Sequence, residues 1–176
     1  MSNAEPIDAL AAYGNAMARV QALEQLMRVA LGEHEARKLI ASGGVPSDIF
    51  GEKLLNMDFG KLEQRVCAKF DFDPEQREVM RDARGFRNYL AHQFWIHHLG
   101  HPGTREGRNL VVRHANLLAR QIDRVAWMLI GATNVDAQRY SDFITSRGAD
   151  PKTLSEWSSL LSEGEAVFDR TEPPPA

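Results

Sequence analysis

Between Ile7 and Gly32 the residues Tyr13, Ala16, Val20, Leu23, Met27 and Ala30 recur at alternating steps of three and four. Only a helix gathers such positions onto one face, because a strand would send them to both sides. The stretch therefore reads as one long helix with a packing seam. Gly32 can end it, and Glu33 to Ala41 reads as a short helix or a continuation. A second amphipathic helix is expected from Asp58 to Phe70, with Phe59, Leu62, Val66 and Phe70 inward. Asp73 then serves as N-cap and Pro74 as the first position of a helix running to about Leu99. The next long helix spans Thr104 to Gly131, with Leu110, Val111, Leu118, Ile122, Val125 and Leu129 toward the core and His114 at its border.

Shorter helices are expected at Asn134 to Thr145 and at Pro151 to Leu161, and Glu172 to Ala176 contains three consecutive prolines. Neither a strand pattern nor a repeat persists anywhere. These features predict an all-α, single-domain bundle of four to five main helices. The bundle should occupy 1–147, a docked C-terminal helix 148–163 and a disordered tail 164–176.

Several function classes drop out on composition. No apolar run approaches 18 residues, so no membrane span is expected, and no charged-then-apolar leader suggests export. The single cysteine, Cys67, excludes an intrachain disulfide and a cysteine-rich zinc site, and reads as a small buried residue. A cytoplasmic location follows as the expectation. The net charge of −3 hides an asymmetry: from Arg77 to Arg124 nine arginines face four acids, a local +5 that leaves −8 for the remainder. A basic centre in an acidic chain is a local footprint for phosphates.

That centre holds the chemistry. From Arg77 to Leu99, Val79, Ala83, Phe86, Leu90 and Phe94 form an apolar stripe, continued by His97. Arg77, Arg81, Arg84, Asn88 and His92 form a polar ridge on the other side, extended by Trp95. A tryptophan on a polar ridge calls for a partner, so Trp95 reads as an interface anchor. RNA phosphodiester cleavage through the ribose 2′-OH needs a base, an acid and a cation. Histidine exchanges protons near neutral pH, and arginine forks onto phosphate oxygens. His92 and Arg87 suit these roles, with Asn88 placed to orient the imidazole or the ribose. Arg84, Arg81, Arg113 and Arg120 are the candidate RNA or phosphate contacts, with Arg124 in line with the last two.

Residues five apart on a regular helix point about 140° from each other. Arg87 and His92 can therefore share a site only if the helix is distorted or if two chains contribute. A two-fold dimer is the expected solution. Gly85 removes a side chain two residues before Arg87, which would let a phosphate or another helix approach.

The run Arg87-Asn88-Tyr89-Leu90-Ala91-His92 resembles the R-x(4–6)-H motif of the HEPN family of helical-bundle proteins, many of them metal-independent ribonucleases. The resemblance implies a homodimer with Arg and His acting on RNA, no cofactor and no metal. In toxin members it implies an antitoxin or nucleotidyltransferase partner. Some of those continue to a modified tyrosine in H-x-Y, where this chain has Phe94. A non-catalytic module binding RNA, a nucleotide or a protein through the same ridge is the alternative. His97 and His101 have i, i+4 spacing, but Gly100 and Pro102 interrupt the helix and no carboxylate occupies the H-E-x-x-H position, so metal is not expected. His98 is expected to face solvent or the site.

Overall fold

A computed structural model describes residues 5–45 and 52–146. Within them the chain is all-helical, with no strand. The expected helix at Pro151 to Leu161, the tail and the 148–163 boundary lie outside the described residues. The main elements are α1 (Pro6–Ala41), α2 (Glu52–Leu55), α3 (Phe59–Lys69), α4 (Pro74–Asn88), a π turn (Tyr89–Gln93), α5 (Phe94–His97), a 3-10 turn (His101–Gly103), α6 (Arg105–Thr133) and α7 (Ala137–Ser146).

The long first helix is the axis of the bundle. Its predicted seam is inside: Ala16, Val20, Leu23, Met27 and Ala30 are buried, with Tyr13 half-buried. From Ala18 to Gly32 burial extends nearly all round, which marks a helix enclosed by its neighbours. α3, α6 and α7 pack on it. Gly32 does not end α1, because tertiary packing on every side outweighs its weak helix propensity. The stop comes at Ser42, after which Gly43 takes a left-handed φ of 80°. The amides of Gly43 and Gly44 then donate to the carbonyls of Ile40 and Leu39.

Local start signals match the sequence. Asp58 caps α3 by accepting from the Lys61 amide at 2.9 Å. Asp73 and Gln76 form a reciprocal capping box before Pro74. Thr104 Oγ1 accepts from the Gly107 amide at 3.0 Å and opens α6. Gly107 is required there for another reason: a Cβ would fall 2.6 Å from the carbonyl carbon of His101, which crosses the helix at this point.

One feature of the core was not foreseen. Arg19 on α1 and Asp123 on α6 are both fully buried and paired at 2.8 Å. Tyr140 on α7, also fully buried, donates to the second carboxylate oxygen at 2.9 Å. Arg19 also donates to the side chain of Asn15. Three helices are thus joined through one carboxylate. Burial pushes the Asp123 carboxyl up, and Arg19 and Tyr140 draw it back.

Candidate functional site: an Arg–His pair on a widened helical turn

The expected uninterrupted helix from Pro74 to Leu99 is broken by a π turn at Tyr89–Gln93. The Phe94 amide donates to Tyr89 O, five residues back, instead of to Leu90 O. A turn closed by i→i+5 bonds takes one extra residue, so a side chain five positions on returns close to the same direction. Arg87 and His92 consequently meet within one chain: Arg87 Nη1 lies 3.4 Å from His92 Nε2. The same Nη1 donates to Asn88 Oδ1 at 3.3 Å. The two-chain arrangement is not needed to bring Arg and His together, and the helix distortion weighed beside it is what the structure contains.

Arginine only donates, so in this contact the Arg87 guanidinium is the donor and the His92 ring nitrogen the acceptor. His92 and Asn88 are exposed, and Arg87 is half-buried. Behind the guanidinium stands Glu24 of α1, 3.9 Å from Arg87 Nε and 3.8 Å from Arg28 Nη1. No motif in the sequence marks Glu24, which lies beside the seam of α1.

The extra residue also slips the phase of everything downstream by about one position. This single cause overturns the expected placements of His97, His98 and Trp95. His98, not His97, continues the buried stripe after Phe94; His98 is 2% exposed, whereas His97 faces solvent. Trp95 leaves the polar ridge and is half-buried, its ring 5.1 Å from that of Tyr13 and 5.5 Å from that of Phe94. Both of these ring contacts lie within the chain. Ile96 and Leu99 take the outward positions, at 69% and 80% exposure.

The arginines divide into two groups. Arg84 is held 3.2 Å from Glu63 of α3, so its charge is engaged. Arg77 bonds the carbonyls of Phe72 and Cys67. Arg124 is half-buried and feels Glu75. Arg81, Arg113 and Arg120 are exposed. Position 85 opens onto free space, as an approach route requires. Cys67 is half-buried rather than buried, and burial pushes its thiol up.

His98 sits in a chain of imidazoles. Its Nδ1 is 3.0 Å from His101 Nδ1, and its Nε2 is 3.3 Å from His114 Nδ1. A neutral imidazole can donate on one side and accept on the other, which fits both contacts. Burial first, then the neighbouring His114, His101 and His97, lower its pKa to about 4. The sign of the linkage follows. Between about pH 6.5 and 4 the unfolded chain binds a proton that the folded chain refuses, so stability falls as pH falls through that window. The loss should be on the order of 2–3 kcal/mol. Urea unfolding across pH 7 to 4 should show this decline, and His98→Phe should flatten it; an equal slope in the variant would contradict the assignment.

No family model matches the chain, and no solved structure matches it. Among curated proteins it is 30% identical over 112 residues to the chloroplastic chaperone protein ClpC1 of Arabidopsis thaliana. It is 28% identical over 112 residues to the chloroplastic chaperone protein ClpC of Pisum sativum. The aligned part is 64% of this chain and 12% of either relative, so the chain spans only about an eighth of the proteins it matches.

Proposed function

We propose that this protein is a HEPN-like endoribonuclease that cuts RNA without a metal, with two copies completing the working cleft. One observation carries the reading: a guanidinium, a carboxamide and an imidazole converge within 3.4 Å on an accessible surface. A local helix distortion, of a kind frequent at functional sites, brings them there. In the reaction, His92 Nε2 takes the proton of the ribose 2′-OH as the 2′-oxygen bonds to phosphorus. The bond from phosphorus to the 5′-oxygen breaks, and that oxygen takes a proton from an imidazolium. A single chain offers one such imidazole beside Arg87, so the second copy's His92 supplies the acid. Arg87 swings from His92 onto the phosphate oxygens, and Asn88 keeps the ribose in place. The exposed Ile96 and Leu99, one turn beyond the pair, supply apolar area for the two-fold contact. Cytosolic RNA is the substrate in this reading.

A second reading is a non-catalytic helical module that binds RNA, a nucleotide or a protein through the same surface. The partial likeness to chaperone proteins favours the protein-binding form of it. One assay separates the two. Mixed RNA incubated with the protein in EDTA should yield fragments ending in 2′,3′-cyclic phosphate, while DNA of the same sequence stays intact. Uncut RNA under these conditions, whether bound or not, would favour the module.

A further inference from the structure

The π turn has a price in hydrogen bonding that the chain settles from α1. In a regular helix Leu90 O would accept from the Phe94 amide, four residues on. That amide is diverted to Tyr89 O. Leu90 is 1% exposed, and a buried carbonyl deprived of its usual donor is costly. The Tyr13 hydroxyl donates to Leu90 O at 3.1 Å across the helix interface. The Tyr13 ring is wedged against the residues that follow the turn, 5.2 Å from Phe94 and 5.1 Å from Trp95.

We infer that Tyr13 is a positioning residue, whose hydroxyl on Leu90 O holds the π turn open and so keeps Arg87 and His92 on one face. Without it, the Phe94 amide can return to Leu90 O and the helix can rewind to regular pitch. His92 would then point about 140° away from Arg87. The inference deepens the ribonuclease reading and rests on it for its kinetic consequence, but not for its structural one.

Tyr13→Phe removes one oxygen and retains the ring that packs on Phe94 and Trp95, so the variant keeps its core. Two measurements on the full chain test it. By NMR scalar coupling across hydrogen bonds, the Phe94 amide should couple to the Tyr89 carbonyl in the wild type and to the Leu90 carbonyl in Tyr13→Phe. The amide of Leu129, deep in α6, should keep its carbonyl partner. In RNA cleavage, kcat should fall about tenfold while the Kd for an uncleavable 2′-deoxy analogue of the substrate stays the same. Both results together support the inference. A Phe94 amide still coupled to Tyr89 in the variant overturns it whatever the cleavage rate, and so does loss of the Leu129 coupling, which would make the hydroxyl a support of the whole fold. A Phe94 coupling moved to Leu90 with unaltered kcat overturns the positioning role. Should the wild type cut no RNA, the ribonuclease reading falls, and the Phe94 coupling alone still decides whether Tyr13 holds the turn.

Discussion

Asp123→Ala should cost on the order of 3–5 kcal/mol of folding stability. The side chains of Arg19 and Asp123 are wholly inaccessible and 2.8 Å apart. Removing the carboxylate leaves a buried guanidinium without the charge that balances it, and leaves the Tyr140 hydroxyl without its acceptor. Breaking a buried pair is far more damaging than never having built one, because the desolvation of the surviving charge is no longer compensated. A domain of this size has only about 5–15 kcal/mol in total, so the variant stands near the edge of folding at 37 °C. Asp123→Asn should be nearly as harmful, since it removes the negative charge and can turn an amide donor toward Arg19. Tyr140→Phe removes one donor from the carboxylate and should cost about 1–3 kcal/mol. Urea titrations read these differences as shifts of midpoint at constant slope. A shift of under about 1 kcal/mol for Asp123→Ala would mean that water reaches the pair.

The helices were legible in the sequence because their signals are local and periodic. The Tyr13 to Ala30 seam, the Asp73 cap and the Asp58 and Thr104 starts each depend on neighbours within a few positions. The buried ion pair was not legible. Asp123 stands between Ile122 and Arg124 and counted only as one acid in a basic stretch, while Arg19 lies 104 residues away on another helix. Nothing along the chain announces such a pairing. The one hint was a charge on a helix otherwise apolar around Ala16 to Val20.

In the site, the residue types were legible and their geometry was not. The spacing of five between Arg87 and His92 is unfavourable on a regular helix, and that conflict was the signal of the π turn. Periodicity alone cannot locate an inserted residue, because each side of it remains helical. The slip therefore misassigned the positions just after it, exchanging His97 for His98 and placing Trp95 on the polar ridge when it packs half-buried. The supports from α1, Tyr13 and Glu24, carried no motif and were visible only once the helices were packed.

The larger effect should be on RNA cleavage. In the proposed ribonuclease, His92→Ala removes the group assigned to take the 2′-OH proton, and loss of a general acid–base group typically costs a hundredfold or more. The imidazole is exposed and outside the packed stripe, so folding stability should change by no more than about 0.5 kcal/mol. Arg87→Ala should also reduce cleavage strongly, but part of its loss should appear as weaker RNA binding, since it removes the charged group that the proposal sets on the phosphate. Binding without catalysis gives a different signature: Arg87→Ala weakens affinity, and His92→Ala has little effect on it. The most direct measurement is the single-turnover cleavage rate of one RNA by wild type and by His92→Ala in EDTA, each normalised to folded protein by circular dichroism. The expected result is a rate at least about a hundredfold lower for the variant with the same helical signal. Equal rates from two equally folded proteins would contradict the assignment of His92 to the chemistry.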